Sequence, residues 1–214
     1  MADLTTYDGL VSTIGDWLNR SDLAAVIPSF ITLAEATFNT DERFRIPDLM
    51  NRSQAFVGGQ FLPVPPDFLE PVNLRLLVNQ KPVSGTATVE YVTLTQMDTY
   101  RQRYSSAGQP QFYTVAADQF EFLPVPDQSY TAEMIYYARV PPLTPANQSN
   151  ALSTRHPNLY LYAALSHSAP YLKDDDRVAV WASALSVGAE ALRTAAERAQ
   201  YGASPLKMRS RTFG

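Results

Sequence analysis

Apolar residues recur every three or four positions through the first forty residues of the chain. Leu10, Ile14, Trp17 and Leu18 mark one face of a helix, with Thr5 or Thr6 available to cap its start. The stretch "NRSDL" breaks that pattern, and Asp22 is placed to cap a restart. A second stripe follows, through Leu23, Ile27, Ile31, Ala34 and Phe38, with Glu35, Asn39 and Glu42 expected on the opposite face. Pro28 within this run either kinks the helix or opens a new one in its first turn.

From about residue 49 to about residue 140 the period changes from helical to alternating. Twelve of the sixteen prolines lie between 47 and 145, among short runs such as "NLRLLVN", "ATVEYVTL" and "YTAEMIYYARV". In the last of these, Ala132, Met134, Tyr136 and Ala138 share one face of a strand, and Glu133, Ile135, Tyr137 and Arg139 the other. Such a segment belongs to an antiparallel sheet with at least one covered face. "TQMDTYRQRYSS" is the exception and predicts a short helix. The pentapeptide FLPVP occurs twice, at Phe61–Pro65 and Phe122–Pro126, but its flanks differ and no wider similarity recurs at a fixed spacing. In both places the prolines follow apolar strand residues and stop the ladder, so the repeat is a strand terminator used twice.

A third region, about 151 to 201, is helical again. Ser153 or Thr154 is a candidate cap, Pro157 fits a first turn, and Leu159, Tyr162, Ala163, Leu165 and Ser166 wrap around the helix up to Pro170. After "KDDDR", favourable at a helix start, comes a long helix of about 25 residues carrying Val178, Trp181, Leu185, Gly188, Leu192, Ala195 and Ala199 at three–four spacing. Its other face holds Glu190, Arg193, Glu197 and Arg198, and Gly202 ends it. The fold class is therefore α+β: a helical bundle from the N- and C-terminal helices, a central antiparallel β-rich region, and a long C-terminal helix with an extended tail. The expected organisation is one helical body from 1–46 and 151–202, a β-rich insertion at 47–150 and a docking tail at 203–214.

Charge adds an asymmetry. The net charge is −4, yet the last nine residues, "LKMRSRTFG", carry Lys207, Arg209 and Arg211 without a side-chain carboxylate, leaving −7 on the rest. A basic tail on an acidic body reads either as an interaction tail or as a frayed terminus. Charged residues make up only 18% of the chain, low for a soluble domain and suited to assembly. The absence of cysteine removes disulfides and thiolate zinc sites. No signal peptide and no transmembrane run are expected, which points to a soluble protein made in a cytosol.

Catalytic and cofactor chemistry find little support. His156 and His167 are eleven residues apart, too far for a helical metal pair. There is no phosphate-binding glycine loop and no nucleophile elbow. A muramidase-like pair of carboxylates could be sought among Glu35, Asp41 and Glu42, or in Asp174–Asp176. Arg43 and Arg45 beside the first group and the helix-start position of the second give simpler accounts. Duplex readout needs a basic face, whereas this body is acidic and would keep DNA from sticking. No catalytic, cofactor or metal residues are assigned.

Taken together, "YDGLVSTIGDWLNRSDLAAVIPSFITLAEATFN", "LPVPPDFLEPVNL", "YYARVPPL", "NALSTRHPNLYLYAALSHSAPYLKDDDRVAVW" and the ending "RAQYGASPLKMR" resemble, in order and spacing, the head-to-tail adaptors (connectors) of tailed bacteriophages. The resemblance implies a structural virion protein, not an enzyme, made and assembled in the host cytoplasm. It implies a homododecameric ring under the portal protein that extends the DNA channel to a downstream tail or nozzle protein, with genomic DNA passing unread and no membrane contact. In this family the last helix and C-terminal segment reach the portal. Carried onto this chain, the docking residues are Trp181, Leu185 and Leu192 on the helix, Leu206, Met208 and Phe213 as apolar anchors, and Lys207, Arg209 and Arg211 as partners for portal carboxylates. The Tyr- and Gln-rich stretch "VEYVTLTQMDTYRQRYSSAGQPQFY" departs from the family's pattern. A tail-completion protein and a virion-associated peptidoglycan hydrolase are the alternative readings.

Overall fold

A computed structural model describes residues 3–78, 81–82, 88–172 and 176–201. In chain order the helices are α1 (Tyr7–Leu18), α2 (Ile27–Thr40), α3 (Leu94–Arg101), α4 (Ala151–Arg155), α5 (Pro157–Ser166) and α6 (Arg177–Tyr201). The strands are β1 (Met50–Val57), β2 (Phe61–Pro63), β3 (Phe68–Val78), β4 (Lys81–Pro82), β5 (Glu90–Tyr91), β6 (Phe112–Ala116), β7 (Gln119–Leu123) and β8 (Tyr130–Ala138). The fold is mixed α+β and divides into a helical unit, Met1–Leu49 with Val140–Gly214, and a β-rich unit, Met50–Arg139.

In the helical unit α1 starts at Thr6, whose hydroxyl accepts the Gly9 N–H. Leu10, Ile14 and Leu18 are buried with Leu23, Ile27, Ile31, Ala34 and Phe38 of the second stripe. Asp22 does not cap α2: it lies in a 3-10 turn and is gripped by the Arg20 guanidinium at 2.6 Å. The α2 helix begins instead with Pro28 in its first turn, where a missing N–H costs nothing. Glu35 and Asn39 also depart from expectation. The Glu35 carboxylate is only 6% exposed and accepts the Leu143 N–H at 2.7 Å, and the Asn39 Oδ1 accepts the Val140 N–H at 2.9 Å. Both receive amides of the proline-interrupted segment 140–143, which has no ladder to join.

The cap of α4 is Asn150, not Ser153 or Thr154. Asn150 Oδ1 accepts the Ser153 N–H at 2.8 Å while Ser153 Oγ accepts the Asn150 N–H at 3.0 Å, a reciprocal box. Asn150 Nδ2 also donates to Tyr160 Oη at 2.6 Å, and that hydroxyl lies 3.4 Å from Glu35. Burial of Glu35 raises its pKa, and the Leu143 amide and Tyr160 hydroxyl only partly offset it. Phe38 packs edge-on against Tyr160 with centroids 4.9 Å apart, so the aromatic core closes directly over this polar cluster.

Among its described residues the β-rich unit holds two four-stranded sheets, in the orders β1-β8-β3-β4 and β2-β7-β6-β5. Pairing is antiparallel throughout, apart from the short parallel contact of β5 with β6. Their inner faces share one core, with Val57, Leu74, Leu76, Tyr130, Met134 and Tyr136 from the first sheet and Tyr113, Phe120 and Phe122 from the second. The two FLPVP copies run close together. Phe61–Pro63 pair with Gln119–Glu121, and β7 stops at Leu123, ahead of Pro124. Each sheet also carries one buried glutamate. Glu133 is held by Gln54 at 2.8 Å and by Arg75, and Glu121 by Gln60 at 2.8 Å and by Arg101. The Gln54 amide, followed by Arg75, lowers the pKa of Glu133.

Candidate docking surface

The long helix α6 has two unlike faces. On the inner face Trp181 (6% exposed), Ala189 and Leu192 (9%) are buried in the helical core, with Val178, Leu185 and Ala196 packed against it. Gly188 allows a close approach to α5, since a Cβ there would lie 2.6 Å from the Leu159 Cδ2. Arg177 stacks on Trp181, 5.4 Å from the ring centroid, and donates to the Trp17 carbonyl at 3.2 Å. Arg43 is held by Asp41 at 2.6 Å and reaches the Ser186 hydroxyl at 3.0 Å. The helix is therefore clamped at its start and at its middle.

Ala195 and Ala199, expected on the inner line, are exposed. Ala189 and Ala196 replace them, because a strict three–four spacing drifts roughly 20° per heptad around a straight helix.

The opposite face is open and carries an apolar line. Val180 is 65% and Val187 69% exposed, with Ala191 and Ala195 also exposed on this side and Ala184 half-buried. One flank is fenced by a charge ladder, Arg193 to Glu190 at 2.6 Å and to Glu197 at 3.0 Å. Ser183, Thr194 and Arg198 share this open face with the valines and alanines. Among the described residues, exposed valines at seven-residue spacing occur on no other helix.

Trp181, Leu185 and Leu192 thus hold α6 to its own body. Leu206, Lys207, Met208, Arg209, Arg211 and Phe213 lie outside the described residues. The carboxylates weighed as a hydrolytic pair have structural partners: Glu35 holds a main-chain amide and Asp41 holds Arg43. The Asp174–Asp176 run lies largely outside the described residues. His167 closes α5 with its Nε2 3.0 Å from Thr37 Oγ1, and His156 leads into α5 ahead of Pro157. Burial lowers the pKa of both rings. Among the described residues no cluster of three or more His, Cys, Asp or Glu could hold a metal, and no helix is long and apolar enough to cross a membrane.

Comparison with known proteins places these features in context. No curated protein matched the chain. The model of the SU10 adaptor protein family matches residues 5–209, from the turn before α1 through α6 and into the basic segment beyond it. The chain therefore belongs to the SU10 adaptor protein family, a family of structural adaptors of bacteriophage virions.

Proposed function

We propose that this chain is a head-to-tail adaptor that forms a homododecameric ring under the portal protein and extends the DNA channel towards the tail. The observation that carries this reading is the two-faced α6. Its inner face is fixed to the helical core, its outer face is open and carries an apolar line, and the chain continues from it into Lys207, Arg209 and Arg211. The family match spans the helix and continues to residue 209. In this reading Trp181, Leu185 and Leu192 position the helix. The outer face and the tail, with Leu206, Met208 and Phe213, meet the portal.

Ordering a tail costs roughly 1–2 kcal/mol per residue in backbone freedom, so a single tail binds weakly. Copies linked in a closed ring raise one another's effective concentration and convert weak contacts into lasting attachment. The acidic remainder of the chain, at −7, repels the phosphate backbone and lets DNA pass to the downstream tail protein. The role is structural and not catalytic.

The test is co-sedimentation with the portal ring of the same virus at low and high salt. Replacing Lys207, Arg209 and Arg211 by Glu abolishes binding in this account, and salt weakens the wild type. Equal binding by the wild type and the triple variant overturns the charge-docking role of the tail.

A further inference from the structure

We infer that the free edge of β1 is a self-association surface, through which two copies of this chain pair about a two-fold axis before assembly. The two sides of the first sheet differ in how they are protected. On the far side, β4 and residues 88–89 cover β3 from Leu74 to Val78, and the rest of β3 carries Pro71 and two register shifts, between Phe68 and Glu70 and between Pro71 and Asn73. Proline and bulges are the devices by which sheet edges avoid unwanted pairing. Strand β1 has neither. It pairs with β8 through eight consecutive residues in unbroken register, and among the described residues no strand pairs with its other side.

The chemistry of that edge selects its occupant. Arg52, Gln54 and Phe56 lie on one face of the sheet, opposite Ile135, Glu133 and Thr131, and all three are exposed. Phe56 is 79% exposed, the most open of the large apolar side chains among the described residues. The Arg52 amide is taken at 2.8 Å by the side chain of its own neighbour Asn51, not by a strand partner. Because strand hydrogen bonding alternates, the amides of Gln54 and Phe56 leave the same free side as that of Arg52.

An antiparallel copy centred on Gln54 sets Gln54 against its own equivalent. It sets Arg52 against Phe56 twice, a guanidinium over an aromatic face each time. On the other face it sets Ser53 against Ala55, both small, and Asn51 against Val57. A parallel in-register stack would instead oppose Arg52 to Arg52, which like charges disfavour. Pairing β1 with the far side of the sheet meets Pro71 and the bulges. The edge is thus complementary to itself in one register, and that register closes as a dimer. A two-fold contact of this kind is absent from a ring built by repeating one heterologous interface. The dimer is accordingly the unassembled form, and it opens when the ring forms.

The test needs no portal and is read by sedimentation of the full chain across a concentration series, with a melting curve for each variant. The wild type sediments at twice the subunit mass. Phe56→Arg opposes two arginines and reduces the particle to one subunit mass, and it melts with the wild type diluted to its monomer, since Phe56 is exposed. The double variant Arg52→Phe with Phe56→Arg exchanges the cross-strand partners and restores the dimer. A wild type that stays at one subunit mass at every concentration overturns the inference. So does a Phe56→Arg chain that remains dimeric, or a double variant that stays monomeric. None of these results bears on portal binding, which is tested separately.

Discussion

Glu35 brings a carboxylate into the helical core to hold the amide of Leu143, and among the described residues that amide has no other partner to accept it. Glu35→Leu therefore leaves a buried N–H unpaired and should cost about 1–3 kcal/mol, measured by denaturant unfolding. Glu35→Gln keeps the accepting oxygen and removes the charge. The pH dependence has a definite sign. Because burial raises the folded pKa of Glu35, its stabilising contribution is full below the ordinary glutamate range and is lost as pH rises through the raised value. His156 and His167, with lowered values, act oppositely: their contribution is present above the ordinary histidine range and lost as pH falls. The difference in melting temperature between wild type and Glu35→Gln cancels the histidines. It should shift in favour of the Gln variant on going from about pH 4 to about pH 8. A difference that stays flat contradicts the assignment. Helical period placed Glu35 opposite Ile31 and Phe38, and nothing local signalled that a segment more than a hundred residues away needs its oxygen. Only the proline-broken "RVPPL", which leaves amides without a ladder, hinted at such a need.

At the scale of elements, α6 separates anchoring from presentation. Leu192→Ala removes a buried side chain from its inner seam and should destabilise the helical unit by about 2–3 kcal/mol. Val187→Ala, on the open face, should change stability by no more than about 0.5 kcal/mol. Thermal unfolding distinguishes the two, and equal losses would mean that the open face is not open. The position and length of this helix were legible in the sequence, because three–four spacing and "KDDDR" mark it directly, but the exposed line through Val180 and Val187 was not, since only charged residues were expected opposite the seam. Which alanines face inward was not, since the difference between a period of 3.5 and 3.6 residues accumulates along the helix. Capping was legible in kind and shifted in place. Thr6 caps α1 as the sequence allows, but Asn150 takes the role suggested for Ser153 because its side chain also serves Tyr160. The strands β2 and β7 stop at the FLPVP prolines, yet their adjacency could not be seen in the repeat itself.

For the whole molecule, the sequence foretold a helical bundle with a β-rich middle, and the fold is of that class. It did not foretell that the strands form two sheets around a shared core, because alternation identifies a covered face without saying what covers it. The match to the SU10 adaptor family joins these parts to a virion role. The central claim is that the chain rings the portal and is held there by the segment after α6. The measurement that tests it most directly is the mass of the complex formed with the portal ring from the same virus, using the full chain and a version ending at Gly202. The account predicts about twelve copies of the full chain per ring, as a closed heterologous ring on a dodecameric portal requires, and none of the shortened one. Equal loading of both versions, or no loading of either, would contradict it.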